Sequence, residues 1–541
     1  APVLSAGAAK AFASKATGHS FASGWGANGG NKKAAWSKAA TAASWGEPFQ
    51  RVFLEPPAEL PEADWKVTQY LREELQITVS GEDEIGIFPP LGSFEELEDV
   101  IPQYVLDSLA SFGIASPMPI QSQALPLALG GQDLIGIAKT GSGKTLAYLL
   151  PAIVHIEAQE PLAEQAATPI VLILVPVREL AVQIAEEAQK LLKGSAGGGN
   201  HPNGIWAACA YGGGSGSKSW QVAEIKKGGH IVAATPGRLV DLVDSGEVGL
   251  DRVTYFVLDE ADRMLEEGFG DQVGSIAAGI RPDRQTVFFS ATWPAAVQEL
   301  AERMCGGGAA PALVTVGQQD NGGGPTSRED IVQEVVVFDE GTWEERDAKK
   351  KELLYAHLSE ILGDPAHKAL VFVSRKDLAD ELGNVLWKEG VNVNTMHGGK
   401  SQDRRLEVLD EFKKGDTKLL VTTDVMGRGL DIPDVSHVVV YDMGDIEDYV
   451  HRIGRTARGP YGEGHALTFF EYDRKWPSLG AELIQVLERS GQEAPAELHQ
   501  IVSEVESGLR EVHTGGKKSS VSSWGSSAGW VSSKGWSNSS W

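Results

Sequence analysis

Two short segments, each at the end of an apolar run, constrain this chain more than anything else in it. Asp133–Ile137 leads into AKTGSGKT, Ala138 to Thr145, and a helical pattern follows. Asp259 lies 115 residues after Lys144, where the run Tyr255–Leu258 ends in Asp259-Glu260-Ala261-Asp262. A glycine-rich turn between strand and helix lets backbone N–H groups approach phosphate oxygens, and the helix N-terminus adds a favourable dipole. Lys144 then supplies a point charge to the β- and γ-phosphates, and Thr145 a hydroxyl for Mg²⁺. Ala138 stands where glycine is usual, so this P-loop pattern is met in its relaxed form. A carboxylate at the C-terminal edge of a parallel strand sits where such sheets take ligands. Asp259 suits Mg²⁺, partly through water, and Glu260 suits orienting and deprotonating an attacking water.

Apolar runs alternate with helical stretches through the middle of the chain. Asp133–Ile137, Ile170–Val175, Ile231–Ala234, Tyr255–Leu258 and Thr286–Phe289 make one set of expected strands. Val332–Phe338, Ala369–Val373, Leu419–Thr422, Val438–Tyr441 and Ala466–Phe470 make a second. Helical segments such as Arg178–Leu192 and Asp377–Lys388 separate them, which predicts βαβ units with mostly parallel sheets. The Gly/Pro/Asn/Ser-rich stretch Gly317–Ser327 parts the two sets, so two tandem α/β domains joined by a flexible hinge are expected. Gly194–Gly204 reads as a surface-loop insertion in the first.

Charge argues in the other direction from phosphate chemistry. Lys and Arg number 48 against 74 Asp and Glu, a net charge of −26, which by itself predicts repulsion from nucleic acid. The distribution is uneven. Residues 1–46 hold five Lys and residues 513–541 hold three, neither has an acid, and −34 therefore falls on residues 47–512. Both ends are Ser/Gly-rich without apolar periodicity and read as disordered tails. They carry Trp25, Trp36 and Trp45 at one end and Trp524, Trp530, Trp536 and Trp541 at the other. Lysines with indoles suit unpaired bases and phosphates, while spaced tryptophans also anchor pockets on protein partners, so the tails are candidate contacts to ribonucleoprotein partners. The acid-free N-terminal tail is Ser-rich like a transit segment, yet it lacks Arg and has a C-terminal counterpart, so organelle import is the less favoured reading. Cys209 and Cys305 supply neither a disulfide framework nor a Cys-rich zinc site. The longest apolar run, Ile170–Val175, is too short to span a bilayer.

HRIGRTARG, His451 to Gly459, completes the chemistry. On a helix, His451, Arg455 and Arg458 share one stripe, and two arginines meeting one spreading charge suit a phosphoryl-transfer transition state. They lie beyond the hinge from Lys144, so catalysis would require two lobes to close.

Eleven ordered motifs across roughly residues 94–475 resemble the DEAD-box RNA helicase family. In the first lobe these are Gly113–Gln121, Ala138–Thr145, Pro176–Leu180, Gly212–Gly213, Thr235–Arg238, Asp259–Asp262 and Ser290–Thr292. In the second they are Leu370–Lys376, His397–Arg405, Thr422–Ile432 and His451–Gly459. The resemblance implies two RecA-like domains, 94–317 and 329–490, with a 318–328 linker, an N-terminal flank at 47–93 and a C-terminal extension at 491–541. It implies ATP and Mg²⁺ as cofactors and single-stranded or short duplex RNA as partner. ATP would be held by Phe94, Gln121, Ala138, Thr140, Gly141, Ser142, Gly143, Lys144, Thr145, Gly429 and Asp431, with Thr145 and Asp259 serving Mg²⁺. Catalysis would fall to Lys144, Asp259, Glu260, His451, Arg455 and Arg458, and coupling to Asp262, Ser290 and Thr292. RNA would be gripped on lobe one by Pro176, Arg178, Gly212, Gly213, Thr235, Pro236, Gly237 and Arg238. Its counterparts on lobe two would be Arg375, Gly398, Gln402, Arg405, Thr423 and Asp424.

Two positions depart from the family pattern: Val177 replaces Thr, and Met118 replaces Thr or Ser before Pro119. The implied activity is ATP hydrolysis on RNA binding, with local separation of short duplexes or remodelling of RNA–protein complexes and no sequence specificity. An ATP-gated RNA clamp that serves as an assembly platform is the alternative; the motif set disfavours DNA translocation. Val67–Gly81 and Ser290–Pro294 further resemble the nuclear subgroup acting in splicing, ribosome assembly and transcript processing. That tilts localisation to the nucleus or nucleolus, with cytoplasm as the alternative and no membrane association.

Overall fold

The computed structural model describes residues 49, 51–55, 61–81, 87–139, 141–161, 167–213, 218–305, 310–317, 327, 330–364, 366–424, 432, 434–457 and 464–512. Both tails with their seven tryptophans, most of the expected hinge, and Thr140, Gly429, Asp431 and Arg458 lie outside the described residues.

The first lobe is built on β1 (Ile77–Ser80), β2 (Leu134–Ile137), β3 (Val171–Leu174), β4 (Trp206–Ala210), β5 (Gly229–Ala234), β6 (Tyr255–Asp259), β7 (Gln285–Ser290) and β8 (Ala312–Val316). They form one sheet in the order β1-β8-β2-β7-β6-β3-β5-β4, parallel except for the antiparallel edge strand β1. The second lobe uses β9 (Ile331–Val337), β10 (Ala369–Phe372), β11 (Val393–Met396), β12 (Leu419–Thr422), β13 (His437–Val440) and β14 (Gly464–Phe470). Their order is β11-β12-β10-β13-β14-β9, all parallel.

Continuous apolar runs are what a sheet covered by helices on both faces demands. Val171 and Ile173 enter one hydrophobic cluster, while Leu172 and Leu174 enter the cluster on the opposite face. Leu370 and Phe372 are likewise divided from Ala369 and Val371 in the second lobe. Period-two alternation therefore persists geometrically although both sets are apolar. The ten expected strands occur within two residues of their sequence-based limits. β1, β4, β8 and β11 add to the expected set; β4 (Trp-Ala-Ala-Cys-Ala) and β11 (Val-Asn-Thr-Met) lack a β-branched apolar core.

Gly194–Gly204 lies at the surface as expected, and it is pinned there: it holds a helical turn, Ser195–Gly198, and buries Ser195 and His201 while most of its other residues are exposed. Ser195 Oγ accepts from Ile205 N at 2.9 Å, and the His201 ring lies 2.9 Å from the Ile156 carbonyl. Small residues allow this approach, since a Cβ on Gly194 would stand 2.7 Å from Tyr104 Cβ. One local expectation fails: His451 and Arg455 do not share a helical stripe. The helix Ile446–Ile453 ends at Gly454, and Arg455 sits in a tight turn whose N–H reaches the Arg452 carbonyl at 3.1 Å.

Candidate active-site cleft

Most of the motifs leave the C-terminal end of a parallel strand; Gly113–Gln121 instead joins two helices, and His451–Gly459 begins in the helix Ile446–Ile453. Lys144 follows β2, Arg178 follows β3, Gly212 follows β4, Thr235 follows β5, and Asp259 and Ser290 end β6 and β7. In the second lobe, Arg375 follows β10, His397 follows β11 and Thr423 follows β12. In sheets wound this way ligands bind beyond the carboxyl ends of the strands.

Two left-handed glycines shape the phosphate loop. Gly141 has φ 77° and Gly143, which starts the helix Lys144–Glu157, has φ 87°. A Cβ on Gly143 would fall 2.3 Å from Gln121 Nε2, so both conformation and space require glycine. Gln121, 1% exposed, donates to the Gly143 carbonyl at 2.9 Å and accepts from Met118 N at 2.9 Å. Because Met118 contributes its backbone N–H, the missing hydroxyl does not break this bridge. Phe94 is buried in the first-lobe core at the head of a short helix capped by Ser93.

Lys144 Nζ donates to the Ala138 carbonyl at 2.7 Å, and burial lowers its pKa against the opposing pull of Asp259, Glu260 and Asp262. Asp259 accepts from Tyr148 OH at 3.0 Å and from Glu260 N at 3.0 Å, with burial raising its pKa. Glu260 adopts φ 55° at the start of the helix Ala261–Glu266, and burial pushes its carboxyl up to about 7. Its Oε2, with the hydroxyls of Ser142 and Ser290, is buried without a hydrogen-bond partner among the described residues. Asp262 accepts from both the N–H and hydroxyl of Thr292, at 3.1 and 2.9 Å. His451 and Arg455 are buried on the second lobe, and the positive field of Arg455 acts on both Lys144 and Glu260.

An unmet oxygen set beside a lysine and a hydroxyl fits a phosphate chain and a hard cation, for which Thr145 and Asp259 carry the donors. Among the described residues no three His, Cys, Asp or Glu side chains form a metal-holding group. Among these residues, too, no helix is long and apolar enough to cross a membrane.

The remaining motif residues line the two lobes. A Cβ on Gly213 (φ 77°) would strike the Arg178 guanidinium at 2.3 Å, so that arginine lies flat over the turn. Thr235 N bonds the Ala210 carbonyl at 2.9 Å, Pro236 opens the helix Pro236–Asp244, and Arg238 donates to Gln221 at 2.6 Å. Gly212 and Gly398 border open space, and Arg375 is exposed beside Asp377. Pro176 is buried, and Gly237 faces Gln272.

Gln402, Arg405 and Asp424, read from the sequence as RNA contacts, are also bound to other protein groups here. Arg405 pairs with Glu179 at 2.7 Å, and Gln402 donates to the same Glu179 oxygen at 3.0 Å. The Asp424 carbonyl accepts from Arg263 at 3.1 Å, and its carboxylate pairs with Arg452 at 2.6 Å. Glu179, Arg263 and Arg452 were missed. Glu179 did leave a signal, a charge beside the apolar stripe Leu180, Ala181, Ile184 and Ala188.

Fold and site together define a P-loop ATPase of two RecA-like lobes. Residues 118–300 match the DEAD/DEAH box helicase model and residues 349–460 the helicase conserved C-terminal domain. The chain is 43% identical over 452 residues to ATP-dependent RNA helicase DBP2 of Candida albicans, covering 83% of this chain and 74% of that one. It is 43% identical over 453 residues to DEAD-box ATP-dependent RNA helicase 20 of Arabidopsis thaliana, covering 83% of each. Among solved structures it resembles Saccharomyces cerevisiae Dbp5 bound to RNA and ADP BeF3 (TM-score 0.59, 26% identity, 78% of this chain and 100% of that one). Mss116p bound to ssRNA and AMP-PNP is similar too (TM-score 0.62, 27% identity, 78% and 83%). The chain belongs to the DEAD-box ATP-dependent RNA helicase family.

Proposed function

We propose that the two lobes close on ATP and one RNA strand, and that hydrolysis reopens them. The observation carrying this reading is that residues in and beside the motifs of the two lobes meet across the cleft: Arg405 pairs with Glu179 at 2.7 Å, and Arg263 donates to the Asp424 carbonyl at 3.1 Å. Lys144 exchanges its bond to the Ala138 carbonyl for phosphate oxygens, and Gln121, locked to the phosphate loop, reads the adenine edge. Glu260, in a dry pocket, orients a water and accepts its proton. Arg455, with Arg458, offsets charge spreading over the transferred phosphoryl group. Thr145 and Asp259 would hold Mg²⁺, which would supply charge neutralisation at the phosphates. Gly429 and Asp431 complete the nucleotide contacts from the second lobe.

RNA lies across both lobes on Arg178, Gly213, Thr235, Gly237 and Arg238, then Arg375, Gly398, Gln402, Arg405 and Thr423. These groups suit phosphate and sugar rather than base edges, so binding is indifferent to sequence, and the 2′-hydroxyl favours RNA over DNA. A strand bent by closure destabilises a short neighbouring duplex. The acidic core keeps encounter weak until ATP assembles the cleft, and the Lys- and Trp-bearing terminal segments supply attraction to RNA or its protein partners. The subgroup resemblance supports residence in the nucleus or nucleolus, with the cytoplasm as the alternative.

RNA-stimulated ATPase measurements on Lys144→Ala and Glu260→Gln test this. Each should fall ~100-fold or more with its fold intact, and full activity in either would refute the reading. Strand displacement measured beside RNA-complex lifetime separates unwinding from clamping.

A further inference from the structure

The second lobe carries a cleft of about 880 Å³ that none of the proposed nucleotide or RNA contacts lines. Its walls come from the helix Trp343–Ile361, the loops leaving β13 and β14, and Arg510 and Glu511 near the end of the described chain. Tyr472 and Trp476 give it aromatic surface, and Trp476 is 62% exposed. An indole left this open offers area that an apolar occupant would cover.

Charge narrows the occupant. Six carboxylates line the cleft (Asp442, Asp445, Asp448, Glu471, Asp473 and Glu511) against four cations. Those cations are committed already. Arg346 and Lys350 bond Glu471 at 2.9 and 2.8 Å, Arg474 pairs with Glu511 at 3.6 Å, and Arg510 is held by Asp339 and by Glu504 at 2.7 Å. Net negative charge beside exposed aromatic surface repels phosphate and suits a segment of lysines and indoles.

We propose that this cleft docks the chain's own segment 513–541 through one of Trp524, Trp530 and Trp536. That segment has three lysines and no acid, the complement of the cleft. It also starts at the rim, two residues beyond Glu511. Trp524 lies about 13 residues past Glu511, a stretch that reaches about 45 Å extended and about 20 Å as a flexible coil. Its indole therefore samples the cleft at an effective concentration in the millimolar range. Residues 1–46 share the composition, but their chain enters the first lobe, where Phe49 packs 5.2 Å from the His155 ring.

Hydrogen–deuterium exchange on the full-length protein tests this, comparing wild type with a variant carrying Trp524→Ala, Trp530→Ala, Trp536→Ala and Trp541→Ala. Peptides covering 442–448 and 472–479 should exchange ~5-fold faster in the variant, with the melting temperature unchanged. Raising salt to about 1 M should speed the same peptides in wild type. Trp476→Ala with the tail intact should loosen 442–448 as well. Exchange unaffected by the four substitutions overturns the proposal. Protection that fades on dilution would assign the cleft to a second copy, and protection appearing only with added single-stranded RNA would assign it to nucleic acid; either result also overturns it.

Discussion

Glu179 of the first lobe and Arg405 of the second meet at 2.7 Å across the cleft, their side chains 1% and 8% exposed. Gln402 donates to the same carboxylate at 3.0 Å. Desolvated charges of this kind cost much when one partner is removed, ~3–5 kcal/mol, and far less when both are. Glu179→Ala and Arg405→Ala should each raise the RNA concentration needed for half-maximal ATPase. The double variant should do no worse than the poorer single one, giving a coupling of ~1–3 kcal/mol in a double-mutant cycle. Strictly additive effects would show that the pair does not hold the lobes together.

Glu260 is expected to set the acid limb of hydrolysis. Burial raises its pKa from 4.5 to about 7 in the protein without nucleotide, so on the proposed mechanism the carboxylate base is lost as pH falls through about 7, and kcat/KM for ATP should fall with it. Stability runs the opposite way. The folded state keeps a proton that the unfolded state releases above 4.5, so stability declines as pH rises through this window. Glu260→Gln should then raise the unfolding free energy at about pH 8 by on the order of 3 kcal/mol and change little near pH 4, as urea titrations would show.

Buried histidines make the protein acid-sensitive. Burial is the main cause lowering His155 to about 3 and His230 and His437 to about 4. His437 stacks on His465 at 5.0 Å and has His367 at 4.9 Å and His357 at 5.9 Å, whose charges add to the effect. Their folded-state values lie below 6.5, so stability is complete above that pH and is lost as pH falls from 6.5 toward 4. Each such residue should cost on the order of 2 kcal/mol at about pH 5. His437→Gln should shrink the difference in urea midpoint between about pH 7 and pH 5; an unchanged difference would exclude this histidine as a contributor.

Val177 is a helix N-cap without a capping side chain. It is extended (φ −121°, ψ 151°) ahead of the helix Arg178–Leu191 and provides no hydroxyl to the free N–H groups. Val177→Thr should stabilise the first lobe by ~0.5–1 kcal/mol, read as a higher melting temperature in the absence of ligands. A drop in melting temperature would mean that the apolar packing of Val177 outweighs the cap.

Strands such as Val171–Leu174 were legible because a buried parallel strand must be a continuous apolar run with turn residues on either side. β11 was not legible, since a strand that alternates Val, Asn, Thr and Met owes its place to its neighbour β12. The end of the helix at Ile453 has no local signal: Gly454 keeps φ −64° rather than a left-handed stop, and the chain tightens into a turn in which Arg455 N reaches the Arg452 carbonyl. Gln402 and Arg405 could be given a cleft from the sequence, but not Glu179, their partner more than 200 residues earlier.

What the sequence determined alone is the local chemistry: a glycine turn that bares N–H groups to phosphate, a carboxylate pair ending a strand, basic tails around an acidic core. Each depends on backbone geometry or composition within a few residues. Only the tertiary structure decided which charges neutralise one another, because Coulomb and hydrogen-bond energies depend on ångström distances that chain separation does not encode. Asp424 bridging Arg452 and Arg263, Arg455 acting on Glu260, and an acidic aromatic cleft at the root of a basic, Trp-bearing segment all exist only once the sheets are stacked.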